Sequence, residues 1–62
     1  MIVHVHVYFP DGTERELPMG VHVPTRGDIL HFEGLEGPWY VDRRSMEFFG
    51  SVQHVHCFLE AV

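Results

Sequence analysis

Apolar and polar side chains alternate at both ends of the chain. The alternation runs from Ile2 to Phe9 and again from Ser51 to Ala61. A period of two, rich in β-branched residues, predicts a strand that buries one of its two faces. We expect the buried residues to be Val3, Val5, Val7 and Phe9 on the first strand, and Val55, Cys57 and Leu59, which share their face with Gln53, on the last.

Shorter apolar runs between turn signals predict three more strands. Pro10-Asp11-Gly12-Thr13 predicts a hairpin turn, because Pro fixes φ and Asp-Gly tolerates a positive φ. Pro18 and Gly20 interrupt the second strand, which is typical of a short or edge strand. We predict these strands at Thr13–Leu17, Asp28–Glu33 and Trp39–Arg44. The segment Ser45–Gly50 either continues the fourth strand after a bulge or forms one turn of helix.

Five short strands in 62 residues predict one small all-β domain that spans residues 1–62. A chain of this length buries only about 60% of its unfolded surface, so its core is small. We expect a five-stranded, mainly antiparallel sheet that closes into a small barrel or bends strongly, because closure removes exposed strand edges.

The middle of the chain resembles small SH3-like barrel domains. In many such domains a Pro-x-x-Gly-Asp turn begins a strand, and an aromatic-Val pair lies in the next strand. Here Pro24-Thr25-Arg26-Gly27-Asp28 leads into Ile29-Leu30-His31-Phe32, and Trp39-Tyr40-Val41 follows. The resemblance covers about a third of the chain. It implies an SH3-like barrel and no particular substrate, since such barrels serve many functions.

The charge balance is acidic. The chain has four Arg and nine Asp or Glu residues, which gives a net charge of −5 with neutral histidine. Phosphate contacts dominate nucleic-acid binding, so direct binding to DNA or RNA is disfavoured. An acidic surface instead favours a protein or protein complex with a basic surface as the partner. Both a monomer and a homodimer fit the sequence.

The sequence predicts a cytoplasmic protein. Its one cysteine, Cys57, cannot form an internal disulfide, which fits a reducing compartment. The N-terminal residues lack the basic segment and long apolar run of a signal peptide. No apolar run approaches the ~18 residues that a membrane helix requires, so we expect no membrane association.

Histidine is the unusual component, because six occur in 62 residues and four of these form two His-x-His pairs. Residues i and i+2 of a strand point to the same side, so each pair projects two imidazoles from one face. If the first and last strands are neighbours, His4, His6, His54 and His56 converge, and zinc takes four such ligands in structural sites. The same pattern also arises on an ordinary polar face, or in a pH-sensitive element, since histidine titrates near neutrality.

No spacing in the sequence predicts catalysis. Cys57 follows His56, but neighbours on a strand point to opposite faces, so we expect a buried thiol and not a nucleophile. No paired-carboxylate, Ser-His-Asp or phosphate-loop pattern stands out. We therefore expect no enzymatic activity, no catalytic residue and no cofactor other than the zinc of the histidine alternative.

Protein binding is the function that these features favour. Alternation places one of Trp39 and Tyr40 outward, near two arginines, and Trp, Tyr and Arg dominate binding hot spots. The alternative is that the aromatics are packed and the arginines are solvated. The expected binding residues are Trp39, Tyr40, Arg43, Arg44, Glu14 and Glu16.

The small, acidic chain is also typical of the inhibitors that phages and mobile elements encode against host complexes, including anti-CRISPR inhibitors. Such an inhibitor would act by covering a basic site. The alternative function, from a different class, is a histidine-based metal-binding or metal-responsive domain.

Overall fold

The computed structural model describes the whole chain, Met1–Val62, and contains five strands and no helix. The strands form one sheet in the order β2-β1-β5-β4-β3, which is strongly curled into a half-barrel. The all-β, five-stranded, strongly bent fold predicted from the sequence is therefore confirmed. The strands are β1 (Ile2–Tyr8), β2 (Glu14–Glu16), β3 (Ile29–Leu30), β4 (Trp39–Phe49) and β5 (Val52–Ala61).

The first and last strands are neighbours at the centre of the sheet. They run parallel and in register, so that His4 lies opposite His54 and His6 lies opposite His56. The other three strand pairs are antiparallel, which makes the sheet mixed. This central pair satisfies the condition under which the two His-x-His motifs meet. No segment of the chain is a helix of the length and hydrophobicity required to cross a bilayer.

Seven buried apolar residues form the core on the inner side of the curled sheet. They come from the faces that alternation predicts, which confirms those face assignments. Residues from the connecting segments, Leu17, Val23 and Phe32 among them, pack against this core and cover the inner side. The opposite side of the sheet, called the outer face below, stays in contact with solvent. The seven core residues are Val5, Val7, Phe9, Val41, Val55, Cys57 and Leu59.

Strands β3 and β4 differ from the sequence-based prediction by several residues, whereas the other strands differ by at most one residue at each end. The third strand contains only Ile29 and Leu30, because only these two residues pair with β4. Beyond them the chain turns away, with a hydrogen bond from the Leu35 N–H to the Phe32 carbonyl, 3.2 Å long. Phe32 nevertheless packs against the core, which explains its strand-like spacing.

The fourth strand is longer than predicted, because it continues through Ser45–Phe49 and pairs with β5 as far as Val52. The register shifts between Val41 and Arg43, which marks a bulge. An extra residue at a bulge changes which side chains point inward. After it, the odd-numbered residues of β4 lie on the outer face. The alternative with a continued strand is thus correct, and the helical turn does not form.

A hydrogen-bonded turn joins β1 to β2. The Asp11 carboxylate accepts hydrogen bonds from the Thr13 backbone N–H, at 2.9 Å, and from its hydroxyl, at 2.7 Å. These bonds lower the pKa of Asp11 below its ordinary value. Gly12 adopts a φ of 91°, which a glycine reaches without strain. The turn fixes the register that brings β2 alongside the histidines of β1.

Candidate functional site

Six rings form a continuous stack on the outer face, which we call the ring ladder. Parallel, in-register pairing of β1 and β5 sets the rings of the two strands side by side, and they interleave along the sheet. Successive ring centroids are 5.1, 5.3, 5.1, 5.6 and 5.0 Å apart. In order along the stack, the members are His4, His54, His6, His56, Tyr8 and Phe58.

Glutamates from the two flanking strands bind three of the histidines. On the β2 side, Glu16 lies 3.1 Å from Nδ1 of His4, and Glu14 lies 2.8 Å from Nδ1 of His6. On the β4 side, Glu47 lies 2.6 Å from Nε2 of His56. An ionised carboxylate only accepts hydrogen bonds, so each of these ring nitrogens carries the proton.

The remaining ladder contacts follow from those proton positions. Nδ1 of neutral His56 is then free to accept the Tyr8 hydroxyl, which lies 2.7 Å away. Nε2 of neutral His6 likewise accepts from Nδ1–H of His54, 3.0 Å away. With all four histidines neutral, every one of these contacts is satisfied. Protonation of both His6 and His54 would set two N–H donors against each other and break their bond.

The three glutamates make the ladder the centre of an acidic surface. Their side chains remain half exposed, at 48% for Glu14, 49% for Glu16 and 52% for Glu47. The imidazoles of His6 and His56 are less exposed, at 14% and 17%. Solvent and partners therefore meet the carboxylates before they meet the rings.

The acidity of the Tyr8 phenol is changed by its place in this surface. Burial in the stack, together with the negative charges of Glu14 and Glu47, raises the pKa of the Tyr8 phenol. The phenol thus keeps its proton near neutral pH and can donate it to His56. Tyr8 consequently links the histidine part of the ladder to Phe58.

The ladder is not arranged as a metal centre. No group of three or more His, Cys, Asp or Glu side chains has a geometry that would hold a metal ion. The two His-x-His motifs do meet, but their rings stack in nearly parallel planes and their nitrogens bind glutamates, Tyr8 or one another. Metal binding would require some of these side chains to rotate away from their present partners.

The six predicted protein-binding residues do not form one patch. Glu14 and Glu16 lie on β2, beside the ladder, and two strands separate them from the residues on β4. Trp39 is half-buried and packs edge-on against Phe9, with ring centroids 5.1 Å apart. Tyr40 is half-buried, in the pair of β4 residues that binds β3.

The two adjacent arginines point to opposite sides of β4. Arg43 is exposed, and its guanidinium lies 4.3 Å from the centroid of Phe58, at one end of the ladder. Arg44 points inward and donates a 3.0 Å hydrogen bond to the carbonyl of Pro24. Arg43 is therefore available at the outer face, whereas Arg44 holds a loop against the sheet.

Sequence reasoning missed Tyr8, Phe58 and Glu47 as members of this site. Alternation does assign Tyr8 to the face of His4 and Phe58 to the face of His54, so the signal for these two was present. Glu47 lies after the bulge of β4, in a segment whose conformation the sequence left open. Its place opposite His54 depends on the register that the bulge sets.

Cys57 lies on the inner side, away from the ladder. Its side chain is fully buried, and its sulfur is 4.0 Å from the carbonyl oxygen of Pro24. Burial raises the pKa of the thiol, although the positive charge of Arg44 opposes that effect. A protonated, buried thiol is a poor nucleophile.

Comparison with protein-family models, with curated proteins and with solved structures gives no match to this chain. Its function is therefore inferred from the geometry of its own residues.

Proposed function

We propose that this chain is a non-enzymatic protein-binding module that presents the outer face of its sheet to a partner with a basic surface. The observation behind the proposal is that imidazole N–H groups hold Glu14 and Glu16 in place while leaving both side chains half exposed. Carboxylates that are already ordered lose less side-chain entropy on binding than free ones.

The free oxygens of these carboxylates are suited to basic groups of a partner. Glu14 uses Oε2 to bind His6, and Glu16 uses Oε2 to bind His4, so each keeps one oxygen for a further donor. Arg and Lys side chains of a partner donate such hydrogen bonds, with added attraction between the charges. The net charge of −5 would also accelerate encounter with a basic surface.

The narrower form of this proposal is an inhibitor that covers a basic site on a host complex, as phage-encoded and anti-CRISPR inhibitors do. The size of the chain and its acidity support this form. An occluding module requires only a surface, which accords with an outer face built from ordered side chains.

Affinity capture from a lysate of the source organism tests the proposal. The bait is the native chain, and two variants of equal net charge serve for comparison, Glu14→Gln/Glu16→Gln on the outer face and Glu33→Gln/Glu36→Gln in a loop. We expect one stoichiometric partner that the loop variant retains and the outer-face variant loses. Equal capture by both variants would count against the outer face.

Metal binding is a second candidate function, favoured by one distance. Nε2 of His6 and Nδ1 of His54 are 3.0 Å apart, close to the ~3.3 Å that separates two nitrogen ligands of tetrahedral zinc. Further ligands would have to come from rotated glutamates or histidines. Including EDTA in the capture experiment separates the two candidates, because a partner bound through a metal is lost and one bound through the carboxylates is retained.

We also propose that the half-barrel is a variant of the SH3-like barrel. The turn Pro24–Asp28 leading into β3, and the antiparallel pairing of β3 with the start of β4, support this assignment. An experimental structure that can be superimposed on known SH3-like barrels would test it.

A further inference from the structure

One edge of the sheet is open over most of a long strand. β3 pairs only with Trp39 and Tyr40, and a loop adds two hydrogen bonds at Val41. From Arg43 to Phe49, β4 has a strand partner on its β5 side and none on the other side. We call these seven residues the β4 edge. Unpaired backbone groups along such an edge are a ready template for another strand.

The side chains of the β4 edge change character from one end to the other. Arg43 and Arg44 lie at its start, and Phe48 and Phe49 lie at its end, 64% and 61% exposed. Met46, at the centre, is also exposed. An antiparallel copy of the same edge would therefore bring a basic end against an aromatic end, twice.

We propose that the chain forms a homodimer in which the β4 edges of two copies pair antiparallel about a two-fold axis at Met46. Residues directly opposite each other in an antiparallel sheet point to the same face. In both copies the odd-numbered residues of the β4 edge point to the outer face, so odd-numbered residues must lie opposite odd-numbered ones and even-numbered residues opposite even-numbered ones. Arginine over an aromatic ring is an attractive pair, and no like charges are opposed in this register. In this arrangement Arg43 lies opposite Phe49 of the second copy, Arg44 opposite Phe48, Ser45 opposite Glu47, and Met46 opposite Met46.

The β4 edge has arginines at one end and phenylalanines at the other, so an antiparallel second copy complements it better than a strand of another protein does. A uniformly acidic segment would suit the arginines but not the phenylalanines, and an apolar segment would suit the phenylalanines but add no favourable contact for the arginines. The other exposed edge, β2, has only three residues and offers no comparable length. Dimerisation would join two five-stranded sheets into one and leave both ring ladders on its outer face.

Sedimentation equilibrium of the full chain, over a range of concentrations, tests the proposal. We expect twice the monomer mass of 7.2 kDa at high concentration. Two chains of net charge −5 repel, so added salt should strengthen the dimer. Binding through the acidic outer face should instead weaken with salt, so failure of one proposal is distinguishable from failure of the other.

Matched substitutions locate the interface. Met46→Lys opposes two like charges at the axis and should raise the dissociation constant roughly tenfold or more. Met19→Lys, at an exposed loop position, should leave the dissociation constant unchanged. A circular dichroism spectrum like that of the native chain confirms that each variant is folded. A monomeric native chain, or equal weakening by both variants, would overturn the proposal.

Crosslinking tests the register independently of stability. Residues directly opposite in antiparallel strands have Cα atoms about 4.5–5.5 Å apart, which a disulfide spans. Met46→Cys should therefore form a covalent dimer on mild oxidation, whereas the native chain, whose only thiol is buried, should not. The absence of crosslinking in a dimeric Met46→Cys variant would refute this register.

Discussion

Replacing Val55 with threonine tests which face of the sheet is buried in the core. Val55 lies at the middle of β5, is 1% exposed and faces the core. Threonine has nearly the same shape and a similar preference for strands, so the change introduces one hydroxyl and little else. Val52 is the matched control, because it lies on the same strand but on the outer face, where it is only partly buried.

The Val55→Thr substitution should remove a large fraction of the free energy of unfolding. A buried hydroxyl without a partner costs about 1–3 kcal/mol. A domain of 62 residues has a free energy of unfolding of about 3–9 kcal/mol, at roughly 0.05–0.15 kcal/mol per residue. A loss of about 2 kcal/mol should lower Tm by about 8–16 °C.

Thermal and urea unfolding, followed by circular dichroism, measures both variants. We expect Val55→Thr to show the full loss and Val52→Thr to lose less than about 0.5 kcal/mol. A result in which the two variants lose equal stability would refute the assignment of inner and outer faces, and with it the position of the ring ladder on the outer face.

Two further predictions follow from the titratable groups. Cys57 should react with a thiol reagent at least about a hundredfold more slowly in the native chain than in urea, and similar rates would show that it is not buried. Replacing Thr13 with valine should make the free energy of unfolding depend less on pH between about pH 5 and pH 3. In the native chain Thr13 lowers the pKa of Asp11, so the ionised carboxylate stabilises the fold at pH values above the ordinary pKa of aspartate. This stabilisation is lost as the pH falls. An unchanged pH profile would rule this out.

Local patterning predicted the faces of β1 and β5 well, because the alternation of each strand is a property of that strand alone. It identified the core valines and grouped Tyr8 with the first histidine pair and Phe58 with the second. Whether the two pairs meet depends on a contact between residues about 50 positions apart, and no local signal encodes it. From the sequence, the convergence of the four histidines could therefore be predicted only on the condition that the first and last strands are neighbours.

The bulge in β4 marks where local reasoning fails. A single unpaired position changes the inward or outward direction of every later residue on the strand. Glu47 reaches His56 only because of that shift.

Calorimetric titration with an arginine-rich peptide at low salt tests the central claim most directly. The claim is that Glu14 and Glu16, held beside the ring ladder, form the binding surface. Glu14→Gln/Glu16→Gln and Glu33→Gln/Glu36→Gln have the same net charge, so any difference between them reports position. We expect the first pair to weaken binding by about tenfold and the second by less than about threefold. Equal weakening would mean that the peptide responds to net charge alone, which would contradict the claim.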